Sequence, residues 1–227
     1  METIMTSRII NRRGSVILYT VLAAALSCFA GTASADSETR ATGPFHAVSF
    51  SGSWSVDVTV GKEMSVVLEG DKDTIAKVKA EVIDGELHVG IDRGLTAFLF
   101  GRHDVGDLTA HITVPALTAF TLQGSGNADI KGLNGGRTAL VVSGSGDIKA
   151  TGKVDTVDLV VNGSGRADLS GLVSAKASAT INGSGDATVN PSESLAAVIN
   201  GSGQVSYVSE GAKITSVIHG SGMVERQ

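Results

Sequence analysis

The stretch VVNGSGRADLS, residues 160–170, contains a glycine-serine-glycine triplet whose repetition decides the fold. Six such triplets follow one another in the second half of the chain, and their first glycines are 18 to 20 residues apart. This period is too short for helical repeats and is typical of one coil of a β-solenoid. The glycines of the six triplets are Gly124, Gly126, Gly144, Gly146, Gly163, Gly165, Gly183, Gly185, Gly201, Gly203, Gly220 and Gly222.

The residues beside each triplet alternate between apolar and polar. Apolar residues lie two positions before the triplets, and polar residues, among them Asn162, Asn182 and Asn200, come next. This alternation predicts strands with one buried face. Continued through the triplet, it places both glycines inward and the serine outward, so we interpret the triplet as a corner that has no room for a β-carbon. The asparagines and the triplet serines are expected to stack into ladders from coil to coil.

The segment 43–115 has a related but less regular pattern. It contains three further predicted strands, at 64–70, 86–92 and 108–115, and Ser51-Gly52-Ser53 resembles a degenerate first triplet. A short helix is expected within 71–82, with Asp71 or Asp73 as its cap. Trp54 falls on the inward side of the alternation and is expected in the core.

These patterns predict an all-β fold, a right-handed β-solenoid or β-helix-like stack of coils of about 19 residues. The repeats occupy residues 116–227, and the region 43–115 forms a less regular N-terminal β cap. Together they make one continuous domain over 43–222, and residues 36–42 are predicted to be a linker.

The first 35 residues have the pattern of a secretory signal peptide. Three arginines (Arg8, Arg12 and Arg13) precede the apolar run 16–31, and Ala33-Ser34-Ala35 is a small-residue cleavage site. Two alternatives are an uncleaved anchor helix and acylation of Cys28, the single cysteine. Cleavage after Ala35 would leave a chain without a cysteine or a transmembrane span, exported to the periplasm or the cell surface.

An exported chain carrying GPFHAVSFSGSWSVDVTVG, GELHVGI and ITVPALTAFTLQGSGNADI, followed by repeated GSG coils, resembles the bacterial head GIN domain family. The resemblance covers roughly residues 43–222 and is most specific at the junction between Pro115 and the first triplet. It implies an all-β, solenoid-like fold on exported proteins, which the family description connects with autotransporter adhesins. It brings no catalytic motif with it.

Charge and spacing exclude several kinds of site. The net charge is −5, which removal of three Arg and one Glu with residues 1–35 would change to −7, so no basic surface for nucleic acid is indicated. Repeated calcium sites need an acidic ligand in every coil, but Arg166 and Met223 interrupt the position after the triplets. A single ion near Asp129, Asp147, Asp168 and Asp186 stays an alternative to a solvated acidic face. We predict no metal and no cofactor.

Polysaccharide cleavage is the alternative that β-solenoids suggest most directly. An outward column contains Asp129, Lys149, Asp168, Thr188 and Ser206. Its two carboxylates are separated by two coils with Lys149 between them, which favours a ladder of alternating charge over a catalytic pair. We therefore predict no catalytic residue.

The remaining candidate site is the apolar run Phe98, Leu99 and Phe100, between two glycines. It either folds back over the end of the solenoid or forms a patch for a protein partner or for self-association. The function we predict is that of a non-enzymatic, adhesin-like interaction module with an unknown protein or glycan partner at the cell surface. The alternatives are a periplasmic structural or stress-related scaffold without an external ligand and, less favoured, a polysaccharide-active enzyme.

Overall fold

The structure is a computed structural model and describes residues 36–91 and 108–227. In these ranges fifteen strands form one sheet, and one short helix lies between two of them. The elements are β1 (Asp36–Thr39), β2 (Ala47–Gly52), β3 (Ser55–Val60), β4 (Ser65–Gly70), α1 (Lys72–Ile75), β5 (Val78–Ile83), β6 (Glu86–Ile91), β7 (Thr109–Val114), β8 (Ala119–Gly124), β9 (Asn127–Gly144), β10 (Asp147–Gly163), β11 (Arg166–Gly183), β12 (Asp186–Gly201), β13 (Gln204–Tyr207), β14 (Lys213–Gly220) and β15 (Met223–Arg226).

The predicted β-solenoid is confirmed, with about five turns. Strands β9 to β12 each follow almost a whole coil, and successive coils pair in parallel. The register aligns one repeat with the next, so that Gly144 pairs with Gly163, which pairs with Gly183. The pairing is irregular next to Gly152 and, between β11 and β12, at Ser174–Lys176.

The solenoid begins earlier in the chain than its perfect triplets. Strands β2 and β3 form a coil of their own, and Gly52 pairs with Gly124. A further parallel layer lies on the far side of this coil, made of β6 beside β2 and β7 beside β3. Strands β5 and β4 then pair antiparallel with β6 and β7, respectively, and form the less regular N-terminal cap.

The segment predicted as a linker, 36–42, contributes a strand instead. Its residues Asp36–Thr39 form β1, which pairs antiparallel with the outer edge of β4. All four residues are exposed and none is apolar, so the sequence has no alternation that could have indicated the strand. Helix α1 has the expected cap, because the Asp71 side chain accepts a hydrogen bond from the Thr74 N–H at 3.1 Å.

The core is a single cluster of inward side chains that runs through the solenoid. Each coil contributes residues from the positions before and after its triplet. In the column four positions before the triplets, the side chains become smaller toward the C-terminal end, from Phe120 through Leu140 and Leu159 to Ala179 and Ala197. Trp54 lies in this core, as expected, and its ring meets that of Phe50 edge-on with 4.4 Å between centroids. Within the described ranges, no helix is long and apolar enough to cross a membrane.

Candidate interaction surfaces

The apolar run Phe98, Leu99 and Phe100 lies outside the described residues, in the segment 92–107 between β6 and β7. Its role therefore stays a prediction. The surfaces below belong to the solenoid itself.

The two glycines of each triplet meet different neighbours at the corner. A β-carbon on the first glycine would lie 2.1 to 2.4 Å from the carbonyl oxygen of the matching glycine one coil earlier, and these first glycines have positive φ angles. A β-carbon on the second glycine would meet a core side chain as well as a backbone carbonyl oxygen, as at Gly165, where Gly146 O is 2.4 Å and Val142 Cγ1 2.7 Å away. The second glycine is buried in every coil but the last, whereas the first is at least partly exposed because it lies on the outer bend.

The triplet serines use their backbone more than their hydroxyl groups. Ser145 and Ser164 donate their N–H groups to the carbonyl oxygen of the first glycine one coil earlier, both at 3.0 Å. No hydrogen bond between serine hydroxyls is found along this column of the described chain. The triplets thus form a backbone-bonded corner with an exposed row of hydroxyl groups.

The expected asparagine ladder is present beside this corner. The Asn182 side-chain amide donates to Asn162 Oδ1, and the Asn200 amide donates to Asn182 Oδ1, both at 2.8 Å. His219 continues the column, with Nδ1 3.2 Å from Asn200 Oδ1. Since the middle amide both accepts and donates, the stack fixes the orientation of its members on an otherwise exposed surface.

The opposite side of the triplet corner carries a charged surface, which we call the charged face. It consists of two outward columns on β3, β9, β10, β11 and β12. The first column contains Asp57, Asp129, Lys149, Asp168 and Thr188, and the second contains Asn127, Asp147, Arg166 and Asp186. Neighbours in a column are paired in register, so they are about 4.8 Å apart.

The alternating column predicted from the sequence is confirmed, with Lys149 paired to both Asp129 and Asp168. Ser206 continues the column but is only 5% exposed. The prediction that it faces solvent is therefore wrong. It lies below the Gln204 side chain, whose Nε2 is 3.2 Å from its hydroxyl oxygen.

Several charged groups on or beside this face already form ion pairs or hydrogen bonds. Lys131 Nζ lies 2.8 Å from Asp129 Oδ2, and this contact raises the pKa of the lysine. Asp168 accepts hydrogen bonds from the Ser170 hydroxyl at 2.6 Å and from the Ser170 N–H at 3.1 Å, which lower the pKa of its carboxyl. Arg166 lies 3.7 Å from Asp186.

Lys149 differs from the other cations of the charged face. Within the described residues it forms no ion pair, although its charge contributes to the lowered pKa of Asp168. Its side chain is exposed at the centre of the two columns. An ammonium group in this position is available to an acidic or hydrogen-bonding partner.

A shallow concavity of about 370 Å³ lies along the charged face. It crosses four adjacent strands, and rigid backbone supports each polar group around it. Its lining residues are Ser55, Asp57, Asn127, Ala128, Asp129, Asp147, Ile148, Lys149, Arg166 and Asp168. Both signs of charge are thus presented side by side at a fixed spacing.

Sequence reasoning missed the continuation of this face into the N-terminal cap. His111 lies beside Asp57 on the adjoining strand, with Nδ1 3.2 Å from Asp57 Oδ2 and Nε2 3.3 Å from Glu69 Oε2. A signal for Asp57 did exist, because it follows Gly52 by the same five positions that separate Asp129 from Gly124. His111 and Glu69 had none, since their position depends on how β4 and β7 pair.

The carboxylates of the charged face are distributed along its two columns. Among the described residues, no three His, Cys, Asp or Glu side chains converge on a point where a metal ion could bind. The lowered pKa of Asp168 keeps its carboxyl ionised, whereas a general acid in glycoside hydrolysis needs a raised pKa.

A family model described as "Putative auto-transporter adhesin, head GIN domain" matches residues 44–211. The chain belongs to the head GIN domain family. This membership agrees with the resemblance carried by the sequence motifs and gives the chain an adhesin-like description at the family level. No curated protein matches this head GIN chain.

Three solved structures are similar to this head GIN domain at low sequence identity. A "putative adhesin" from Bacteroides fragilis is 18% identical, with a TM-score of 0.67 over 86% of this chain and 98% of that one. A "putative lipid binding protein" from Parabacteroides distasonis is 18% identical, with a TM-score of 0.47 over 87% and 98%. A "putative adhesin" from Parabacteroides merdae is 15% identical, with a TM-score of 0.46 over 87% and 98%. The Bacteroides fragilis structure supports the fold of the chain.

Proposed function

We propose that this head GIN chain is an exported, non-enzymatic, adhesin-like interaction module whose charged face contacts its partner. The observation that carries the proposal is the concavity of about 370 Å³, where Lys149 and Arg166 are exposed among Asp57, Asp129 and Asp147. A surface with both signs of charge favours a polar partner, a protein or a glycan at the cell surface.

Rigidity supports this role. The charged side chains stand on strands that pair on both edges, so binding orders little backbone and its entropic cost is low. Each contact is weak, but the repeated coils offer several in one line, and their contributions add over an extended partner.

The nature of the available side chains narrows the binding mode. In the described part of the chain, all phenylalanine and tryptophan side chains are buried: Phe45, Phe50, Trp54 and Phe120. Sugar binding commonly uses exposed aromatic rings for stacking. The charged face would therefore bind through ion pairs and hydrogen bonds, and salt would weaken the binding.

Export is part of the proposal and is based on the sequence of residues 1–35. Cleavage after Ala35 would release a chain that begins at Asp36, the first residue of β1. A periplasmic scaffold that uses the same fold without an external ligand is the second candidate, and it differs from the first in predicting no partner for the charged face.

A binding assay with matched charge reversals tests the proposal. The probes are immobilised fibronectin, laminin and mucin together with a glycan array, and the variants are Lys149→Glu and Arg166→Glu. Lys176→Glu is the control, because Lys176 is also exposed but lies away from the concavity. We expect salt-sensitive binding of the natural chain to at least one probe, at least about tenfold weaker for the two charged-face variants and unchanged for the control.

Two results would count against the proposal. Binding that Lys149→Glu and Lys176→Glu weaken equally would indicate a response to net charge alone. Absence of binding to every probe, with the protein confined to the periplasm, would favour the scaffold.

A further inference from the structure

The outermost strands are covered at one end of the solenoid and unpaired at the other, within the described residues. At the N-terminal end, antiparallel strands β5 and β4 cover the outermost parallel layer. At the other end, β14 pairs only with β12 and β15 pairs only with β13, so their outer edges have no partner among the described residues. Natural proteins usually cover or charge such edges because free N–H and C=O groups pair readily with another strand.

Apolar side chains are exposed at this second end. Ile218 is 40% exposed, although the residues at the same position in the two preceding coils, Ile199 and Ile181, are fully buried. Ile214 and, on β15, Val224 are only half-buried, although their partners one coil earlier, Leu195 and Val205, are fully buried. These inward residues belong to a core that continues to the surface of the last coil.

The free backbone groups of β14 can be assigned from the ladder. Ala139 shows which way the backbone groups face at one position of the coil, because it donates its N–H to Thr118 O of the preceding coil. In register, Ala139 corresponds to Thr215, so Thr215 points its backbone groups toward β12. Since successive residues point in opposite directions, the N–H and C=O groups of Ile214, Ser216 and Ile218 face the open edge.

We propose that the outer edge of β14 pairs antiparallel with β14 of a second copy of this chain, about a twofold axis through Ser216. The inward pattern of the strand, Ile214-x-Ser216-x-Ile218, is the same in both directions. Antiparallel pairing centred on Ser216 therefore places Ile214 opposite Ile218 of the partner subunit, and Ser216 opposite Ser216 of the partner subunit. Each interface residue then meets its counterpart on the same side of the sheet, as an isologous contact requires.

This register also gives hydrogen-bond partners to the free N–H and C=O groups of β14. The residues that face each other are those whose N–H and C=O groups point to the edge, so each opposed pair exchanges two hydrogen bonds. A slip by one residue would place inward side chains opposite outward ones and separate the two cores. The register centred on Ser216 is thus the one that both forms the backbone hydrogen bonds and brings the apolar side chains of the two copies together.

The rest of the last coil fits the same axis. A twofold axis through Ser216 exchanges the parts of the coil that precede and follow β14. Strand β15 would then lie over the part of the partner subunit's coil that precedes its β14, and the half-buried inward side chain of Val224 would be covered. The apolar core would run through the interface from one subunit to the other.

Light scattering coupled to gel filtration tests the pairing on the full-length chain, expressed and exported in a bacterial host. The informative variant is Ile218→Lys, which places a charge on the inward side of the edge. Val217→Lys is the matched control: it adds the same charge one residue earlier, on the outward side of the same strand, at a position of similar exposure (47% against 40%). Far-UV circular dichroism and Trp54 emission, which reports on the other end of the solenoid, verify that both variants are folded.

We expect the natural chain to have the mass of a dimer, Ile218→Lys to raise the dimer dissociation constant about 30-fold or more, and Val217→Lys to change it little. Ser216→Pro, which removes an edge N–H without adding charge, should also dissociate the dimer. A natural chain that is monomeric at high micromolar concentration would overturn the proposal. So would a dimer that Ile218→Lys leaves intact, or one that both lysine variants weaken equally.

Discussion

The side-chain amide of Asn182 donates a hydrogen bond to Asn162 Oδ1 and accepts one from Asn200, each over 2.8 Å. Asn182 is therefore the middle member of a ladder that connects three successive coils. The same column contains Ser143 on one side and His219 on the other. This ladder shows how a short repeat can hold exposed polar side chains in a fixed orientation.

Removal of the middle amide should cost more than removal of the terminal one. Asn182→Ala loses two ladder hydrogen bonds and should lower the free energy of unfolding by about 1–2 kcal/mol, whereas Asn162→Ala loses one and should cost about half as much. Urea unfolding followed by Trp54 emission measures both. Equal effects of the two substitutions would contradict a cooperative ladder.

The triplet corners should not tolerate a β-carbon. Gly183 has a φ of +131°, and a β-carbon there would lie 2.3 Å from Gly163 O, while one at Gly185 would lie 2.5 Å from Gly165 O. Each substitution by alanine should destabilise the protein by about 3 kcal/mol or more. Gly211→Ala is the control, because a β-carbon at Gly211 would have no neighbouring atom within 4 Å, and it should change stability by less than about 0.5 kcal/mol. Thermal or urea unfolding of the three variants measures these differences, and a loss at Gly211 as large as those at the corners would contradict the steric explanation.

The contribution of the aromatic contact between Phe50 and Trp54 to stability should be measurable by comparison with Phe120, a second buried phenylalanine. Phe50→Leu and Phe120→Leu both remove a fully buried ring, but only the first removes the edge-on contact with Trp54. We expect Phe50→Leu to cost about 0.5–1.5 kcal/mol more and to change the Trp54 emission spectrum of the folded protein. If Phe120→Leu changes the emission equally, the contact is not specific.

Acid sensitivity should depend on Ser170. Its hydroxyl and N–H lower the pKa of the Asp168 carboxyl, so the ionised form stabilises the folded protein above the ordinary carboxyl pKa near 3.8. This contribution is lost as the pH falls through the lower folded pKa. Ser170→Ala should therefore be less stable than the natural chain at neutral pH, by less than about 1 kcal/mol because solvent screens the group.

The difference between the two proteins should shrink as the pH falls below 3.8, and unfolding curves over this range measure it. Thr188→Ala, in the next coil of the same column, controls for the loss of a hydroxyl group. A difference that stays constant with pH would show that Ser170 acts through packing alone.

The sequence predicted the regular part of this molecule because one pattern repeats there. Each coil supplies its own strand alternation, and the 18 to 20 residue spacing aligns equal positions, so the asparagine ladder and the pairing of Lys149 with Asp129 and Asp168 could be inferred before any contact was known. Parallel stacking in register leaves little freedom once the period is fixed.

The N-terminal region could not be derived in this way. Strands β6 and β7 pair beyond β2 and β3 although they come later in the chain, and β1 adds an exposed edge strand without any apolar residue. Such non-sequential pairing depends on tertiary contacts, not on local alternation. The association of His111 with Asp57 and Glu69 follows from it and was missed for that reason.

The central claim, an exported adhesin-like module, is tested most directly by protease shaving of intact cells with mass-spectrometric mapping of the released peptides. The purified protein, digested in parallel, identifies the peptides that the protease can reach in the folded chain. The proposal predicts release of those peptides from intact cells and a mature N-terminus at Asp36. Complete protection in intact cells, with digestion only after the envelope is permeabilised, would contradict it and favour the periplasmic scaffold.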